Sequence, residues 1–266
     1  MTNSFSYSTV NIIYQQAGAG KPVLLLHGFG EDRSVLQPLF EVLQQNHFVV
    51  LPELPGSGQS AFDAGICSSI DGMADAMLGL MRSVTTEPFV VLGHSMGGYI
   101  ALAMAEKKPE VLQGFGLLHS TAFADSAEKK DTRRKAIQFI QANGSAAFLK
   151  TSIPGLFSES FQQSNPAVVQ QLVERGNSFL PEALCAYYIA MLERPDRTHV
   201  LANIMVPVLF VIGEFDKATP MPDVMQQVHL PELSHVHILR HTAHMGMFEE
   251  PERFNESVVQ FLNDIA

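Results

Sequence analysis

Phe89-Val90-Val91-Leu92-Gly93-His94-Ser95-Met96-Gly97-Gly98 decides how this chain folds. Phe89–Leu92 is a short, unbroken apolar run, the pattern of a strand buried on both faces, and Ser95–Lys107 carries apolar residues at helical spacing. Between them, Gly93-His94-Ser95-Met96-Gly97 fits G-x-S-x-G, a sharp strand-to-helix turn that lifts a serine hydroxyl above a sheet. Such a turn strains its backbone and brings the helix close to the strand, so it needs small residues around the serine, and Gly93, Gly97 and Gly98 supply them. It also sets Ser95 Oγ at the N-terminal end of a helix, where unpaired N–H groups and the helix dipole favour developing negative charge.

Similar apolar runs stand at Val23–Leu26, Phe48–Leu51, Phe115–Leu118 and Val208–Ile212, with helical spacing over Val35–Gln44 and Ile70–Arg82. This alternation predicts an α/β fold, a mainly parallel central sheet with helices on both faces. Phe5–Ser8 and Val10–Gln15 predict two antiparallel strands ahead of the turn Ala17-Gly18-Ala19-Gly20, and Val236–Leu239 and Pro251–Ile265 predict a last strand and a terminal helix. After Leu118 the rhythm stops for roughly 90 residues, far longer than an ordinary connection. Lys129–Asn143, Pro166–Arg175 and Glu182–Glu193 read as helices there, separated by Gly144, Pro154, Gly176, Pro181 and Pro195. The expected organisation is therefore a core of residues 1–118 and 205–266 with an inserted helical cap over 119–204. The charged stretches Glu128-Lys129-Lys130-Asp131 and Arg133-Arg134-Lys135 read as a solvated helix face with no binding role.

At 266 residues the chain can bury one large core. Its 17 Lys and Arg against 27 Asp and Glu, with no dense basic run, exclude nucleic acid as the expected partner. Cys67 and Cys185 are too few for a disulfide framework and lack metal or redox spacing, so both read as buried thiols. Met1–Gln16 lacks the charged start and apolar run of a secretory leader, and no stretch approaches the roughly 20 apolar residues that span a bilayer. A cytoplasmic protein without a membrane partner is expected. Gly18-Ala19-Gly20-Lys21 is no phosphate loop, because Pro22 stands where Ser or Thr is required.

Further landmarks accompany the serine turn. His27-Gly28-Phe29-Gly30 follows the run Val23–Leu26, Pro55-Gly56-Ser57-Gly58-Gln59-Ser60 follows Phe48–Leu51, and Gly213-Glu214-Phe215-Asp216 follows Val208–Ile212. His244 lies between the last strand and the last helix, followed by Gly246, Phe248, Pro251 and Phe254. With these, the chain resembles the α/β-hydrolase superfamily from His27 to Phe254. The resemblance implies an oxyanion hole built from the N–H groups of Phe29 and Met96, where losing one donor typically costs about 2.7–4 kcal/mol of transition-state stabilisation. It makes Asp216 the acid, with Asp125 and Glu214 as competitors, and His244 the base, with His241 in reserve. His27 and His94 read as structural, and His235 and His237 as sharing the more polar face of their strand. The chain departs from the family in carrying Glu53 where Asp is common before the P-G-x-G-x-S turn, and Ala243 where Gly often precedes the histidine.

A serine hydroxyl becomes a nucleophile only when a base takes its proton and a third group orients that base. Ser95, His244 and Asp216 therefore predict a serine hydrolase that cleaves a carboxylic ester or related acyl bond of a small molecule through an acyl-enzyme, with no cofactor or metal required. Lactonase, thioesterase and carbon–carbon bond hydrolysis are related outcomes, while serine in place of aspartate argues against the dehalogenase and epoxide hydrolase branches. A ligand receptor on the same fold is the alternative of a different class. His119, Phe157 and Tyr187 are the expected pocket residues, with Phe148, Leu156, Phe161, Phe179, Leu184, Tyr188 and Met191 as further possible lining from the inserted segment. The aromatic and aliphatic content of the cap predicts a mainly apolar cavity with few charges, suited to neutral esters with short or medium acyl groups.

Overall fold

The computed structural model describes residues 2–265. Eight strands form one sheet: β1 (Thr2–Tyr7), β2 (Val10–Ala17), β3 (Pro22–Leu26), β4 (Phe48–Pro52), β5 (Phe89–His94), β6 (Leu112–Leu118), β7 (Val208–Gly213) and β8 (Ser234–Leu239). Their spatial order is β1-β2-β4-β3-β5-β6-β7-β8. The first two strands run antiparallel, as expected, and every pair from β4 to β8 is parallel. Residues of β3, β5 and β7 are buried throughout, which explains why they read as continuous apolar runs instead of alternating ones. Helices Ile70–Val84 and Met96–Lys107 pack together, as do Gln37–Leu43 and Pro251–Asp264, and these two layers sandwich the sheet.

From β3 the chain first passes to β4 on one side and then to β5 on the other. Where strand order reverses, the loops leaving the carboxyl ends of the two strands splay apart and open a crevice, the usual ligand site of an open α/β sheet. The loops after β3 and β5 carry His27–Glu31 and Ser95, and those after β7 and β8 carry Asp216 and His244.

Between β6 and β7 the described chain contains only helices and turns, an inserted helical cap. Its first helix, Ala127–Ser152, is capped by Ser126 Oγ, which accepts from Lys129 N–H. Gly144 takes φ 83° and ψ 167°, a conformation open to glycine, and divides the segment into two helices across a kink, at the place where the first was expected to stop. Pro166–Arg175 and Pro181–Glu193 follow as expected. Among the described residues five short helices, Ala64–Cys67, Glu159–Ser164, Thr198–Asn203, Met221–Met225 and Gly246–Glu249, are too brief to show a period in sequence. On β8 His235 and His237 share one face, as expected, but that face is partly buried, with His235 against Phe261 of the last helix, and Val236 and Ile238 are exposed. No helix among the described residues is long and apolar enough to cross a membrane.

Candidate active site

Ser95 occupies the turn between β5 and helix Met96–Lys107 with φ 51° and ψ −116°, a left-handed conformation that a residue with a Cβ adopts only at a cost. Two hydrogen bonds hold it there: Ser95 N–H donates to the Leu118 carbonyl at 3.0 Å, and Ser120 Oγ donates to the Ser95 carbonyl at 2.8 Å. The glycines are required by close approach. A Cβ at Gly93 would run into the Gly97 backbone, and one at Gly97 into the Leu26 carbonyl oxygen, so the helix is seated directly on β3 and β5.

Ser95 Oγ lies 2.9 Å from His244 Nε2, and His244 Nδ1 lies 2.7 Å from Asp216 Oδ2. Asp216 Oδ1 accepts from the backbone N–H groups of Ala218 and Thr219, and Oδ2 also accepts from Thr219 Oγ1. Burial opposes a charged carboxylate, but the neighbouring His244 and His119 rings outweigh it and hold Asp216 well below the usual carboxylate range. An ionised acceptor at Nδ1 fixes the tautomer whose Nε2 can accept the Ser95 proton. The competing residues lie elsewhere. Asp125 is buried between Arg133 and Arg194, whereas Glu214 and His241 are exposed.

A second buried pair lies beside this line. His94 Nδ1 is 3.0 Å from Glu31 Oε2, and His94 Nε2 is 2.9 Å from the backbone oxygen of His244. Both neighbours are acceptors, so the ring satisfies them only by carrying both protons. Burial opposes that charge, but the Glu31 carboxylate overcomes it and raises the His94 pKa; burial likewise disfavours ionised Glu31, which His94 nevertheless holds low. Glu31 Oε2 also accepts from Gly28 N–H at 2.6 Å, which fixes the loop containing Phe29. Sequence reading placed His94 correctly as structural but gave no sign of Glu31, 63 residues away. His27 donates from Nδ1 to the Gly28 carbonyl and accepts from Leu54 N–H at Nε2, and burial keeps its pKa low. Glu53 serves in the place where aspartate is common, accepting from Gln59 N–H at 2.6 Å.

A cavity of about 180 Å³ opens above Ser95 and His244, lined also by Phe29, Tyr99, Tyr188 and Met191. Leu156, Phe179, Tyr188 and Met191 of the expected lining set border it, whereas His119, Phe157 and Tyr187 do not. Tyr187 points into the core, where its hydroxyl bonds Ser57 Oγ and the Pro55 carbonyl, and Tyr188 takes the lining position, stacked on Phe29 at 4.3 Å. Phe157 packs on Phe161 and Phe248 and borders a separate recess with Phe215 and Lys217. His119 lies behind the site, stacked on Phe254, with Nδ1 3.5 Å from Asp216 Oδ2, and burial lowers its pKa to about 4. The expectation of few charges also fails, because Lys129, Arg133 and Arg175 line the cavity. The i, i+4 spacing of Lys129 and Arg133 was the available signal, since it puts both on one helix face.

His119, Asp216 and His244 each present a metal-ligand type of atom, all within 4.8 Å of one another. In the arrangement seen, two of these atoms face each other as donor and acceptor at 2.7 Å.

Residues 23–257 match the model of the alpha/beta hydrolase family. Over the whole chain the structure superposes on a thermophilic esterase from Thermogutta terrifontis, solved with malate bound, at TM-score 0.93 and 29% identity, covering 100% of this chain and 99% of that one. The enol-lactonase from Burkholderia xenovorans LB400 shares the fold at TM-score 0.90 and 20% identity, covering 98% and 100%. A putative carbamate hydrolase, RutD, of Rhizobium rhizogenes is 26% identical over 245 residues, 91% of this chain and 92% of its own. Together with the strand order, the inserted cap and the serine turn, these matches show that the chain belongs to the alpha/beta hydrolase family.

Proposed function

We propose that the protein is a serine hydrolase that cleaves a small carboxylic ester or related acyl bond through an acyl-enzyme. The observation that carries this reading is the unbroken hydrogen-bonded line Ser95–His244–Asp216 at the floor of the cavity. Ser95 Oγ attacks the acyl carbon as its proton passes to His244 Nε2. The tetrahedral oxyanion is received by the N–H groups of Phe29, on the loop fixed by Glu31, and Met96, at the start of the helix after Ser95. Collapse breaks the bond to the leaving group, to which His244 returns the proton. Water then attacks the acyl-enzyme by the reverse sequence and releases the acid. The residues 119–204 form the cap that closes over the substrate, and the small cavity favours short acyl groups. The relatives' names, esterase, enol-lactonase and carbamate hydrolase, all describe acyl transfer to water, and malate, bound by one of them, is a small dicarboxylate.

A fluorophosphonate should label Ser95 alone, and purified protein should turn over methyl esters of short acids. A folded protein that takes no label at Ser95 and hydrolyses no ester, while still binding small ligands, would overturn the hydrolase reading in favour of a receptor.

A further inference from the structure

The cavity wall is positively charged although the chain as a whole carries a formal net charge of −10. Lys129 and Arg133 both line the cavity from one face of helix Ala127–Ser152. Lys129 Nζ donates to the Ala218 carbonyl at 2.5 Å, and among the described residues no carboxylate lies within 4.0 Å of it. Arg133 shares Asp125 with Arg194, so two guanidinium groups meet one carboxylate and one positive charge is left over. The other charged lining residues cancel. Glu31 is neutralised by His94, and Asp32 and Arg175 converge on the hydroxyl of Ser34. Two positive charges therefore line the recess, with the ionised Asp216 buried behind His244, and low-dielectric walls make them attract an anion much more strongly than the same charges on an open surface.

The two cations are also placed by the machinery below them. Lys129 rests on the loop that carries Asp216, whose Oδ1 accepts from Ala218 N–H. Arg133 lies over the Tyr188 ring at 5.4 Å, and Tyr188 stacks on Phe29 of the loop after β3. Both positive groups therefore reach the cavity from a cap helix, whereas Ser95 lines it from the sheet side. We propose that Lys129 and Arg133 form an anion subsite, and that the substrate is a short ester carrying a carboxylate remote from the bond that breaks, such as the monoester of a small dicarboxylic acid. The position of the ester rests on the hydrolase reading, whereas the anion subsite rests on the cavity alone.

Ser95→Ala protein allows intact esters to be compared by calorimetric titration without turnover. Monomethyl adipate and methyl hexanoate match in length and differ at the far end, carboxylate against methyl. Monomethyl adipate should bind at least tenfold more tightly. Adding Lys129→Gln or Arg133→Gln should each remove at least fivefold of that advantage, with folding checked by circular dichroism. Lys129 is partly exposed and outside the Asp125 ion cluster, so Lys129→Gln serves as the readout if Arg133→Gln fails to fold. Equal or tighter binding of methyl hexanoate, or an advantage that survives Lys129→Gln in folded protein, overturns the subsite. Turnover by the protein with Ser95 intact is read separately. Tight binding of monomethyl adipate without hydrolysis of either ester keeps the subsite and removes the hydrolase reading.

Discussion

His94 Nε2 lies 2.9 Å from the backbone carbonyl oxygen of His244, so the residue preceding Ser95 grips the loop that carries His244. Through Nδ1 the same ring holds Glu31, which in turn holds Gly28 N–H. One buried imidazolium–carboxylate pair thus ties the loops after β3, β5 and β8 to one another, and fixes the distance between the His244 ring and Ser95 from behind.

Glu31→Gln leaves a buried His94 facing a neutral amide, and breaking a buried pair in this way costs about 3 kcal/mol. His94 has a raised folded pKa, so its contribution is complete below the unfolded value of 6.5 and is lost as pH rises through the folded one. Glu31 has a lowered folded pKa, so its contribution is complete above 4.5 and is lost as pH falls through the folded one. The stability gap between the original protein and the variant, from urea unfolding, should be widest between these two values and shrink on the alkaline side. A gap that stays constant far into alkaline pH would mean the pair is not ionic.

Asp216→Asn should lower kcat about 10⁴-fold, because an amide no longer enforces the His244 tautomer that accepts from Ser95. Since Asp216 is held well below 3.8, it stays ionised throughout the neutral range, and the acid limb of kcat/KM should not be its titration. Steady-state kinetics of the variant test the first point. A variant retaining a tenth of the original kcat would assign the acid to another residue.

Gly246→Ala should disturb Asp216 from a distance. A Cβ there would press on His119 Nε2 and come within 2.9 Å of Leu239 Cδ1, and the His119 ring is confined between Phe254 and Asp216. Overpacking of this kind costs about 1–3 kcal/mol. Thermal unfolding should show that loss together with a fall in kcat. An unaltered Tm and kcat would mean that the His119 ring yields without transmitting the strain.

Tyr187→Phe should destabilise by about 1–3 kcal/mol, because it leaves the buried Ser57 hydroxyl without a partner and the Pro55 carbonyl with only the Cys67 thiol. Tyr188→Ala, in contrast, removes a cavity wall and the ring under Arg133. It should change the order of preference among esters of different acyl length. Measuring Tm and kcat/KM for both variants separates the two adjacent tyrosines, and a reshuffled ester preference in Tyr187→Phe alone would reverse their assignment.

The sequence by itself determined the sheet and the turn around Ser95, since both depend on local demands. Buried parallel strands need unbroken apolar runs, and the turn needs glycine where helix and strand backbones meet, as at Gly93 and Gly97. Asp216 and His244 came from the resemblance to the superfamily, each on the loop after a strand that could be read in this way, and the structure brings both into line with Ser95. Tertiary structure alone decided what the cap presents to the cavity. Successive helix residues point about 100° apart, so a small rotation of Pro181–Glu193 decides whether Tyr187 or Tyr188 faces the substrate, and that rotation is set by docking against the core. The same docking turns Lys129 and Arg133 from a solvated face into a cavity wall. The pairing of Glu31 with His94 depends on two strands lying side by side, and no periodicity in either segment carries that information.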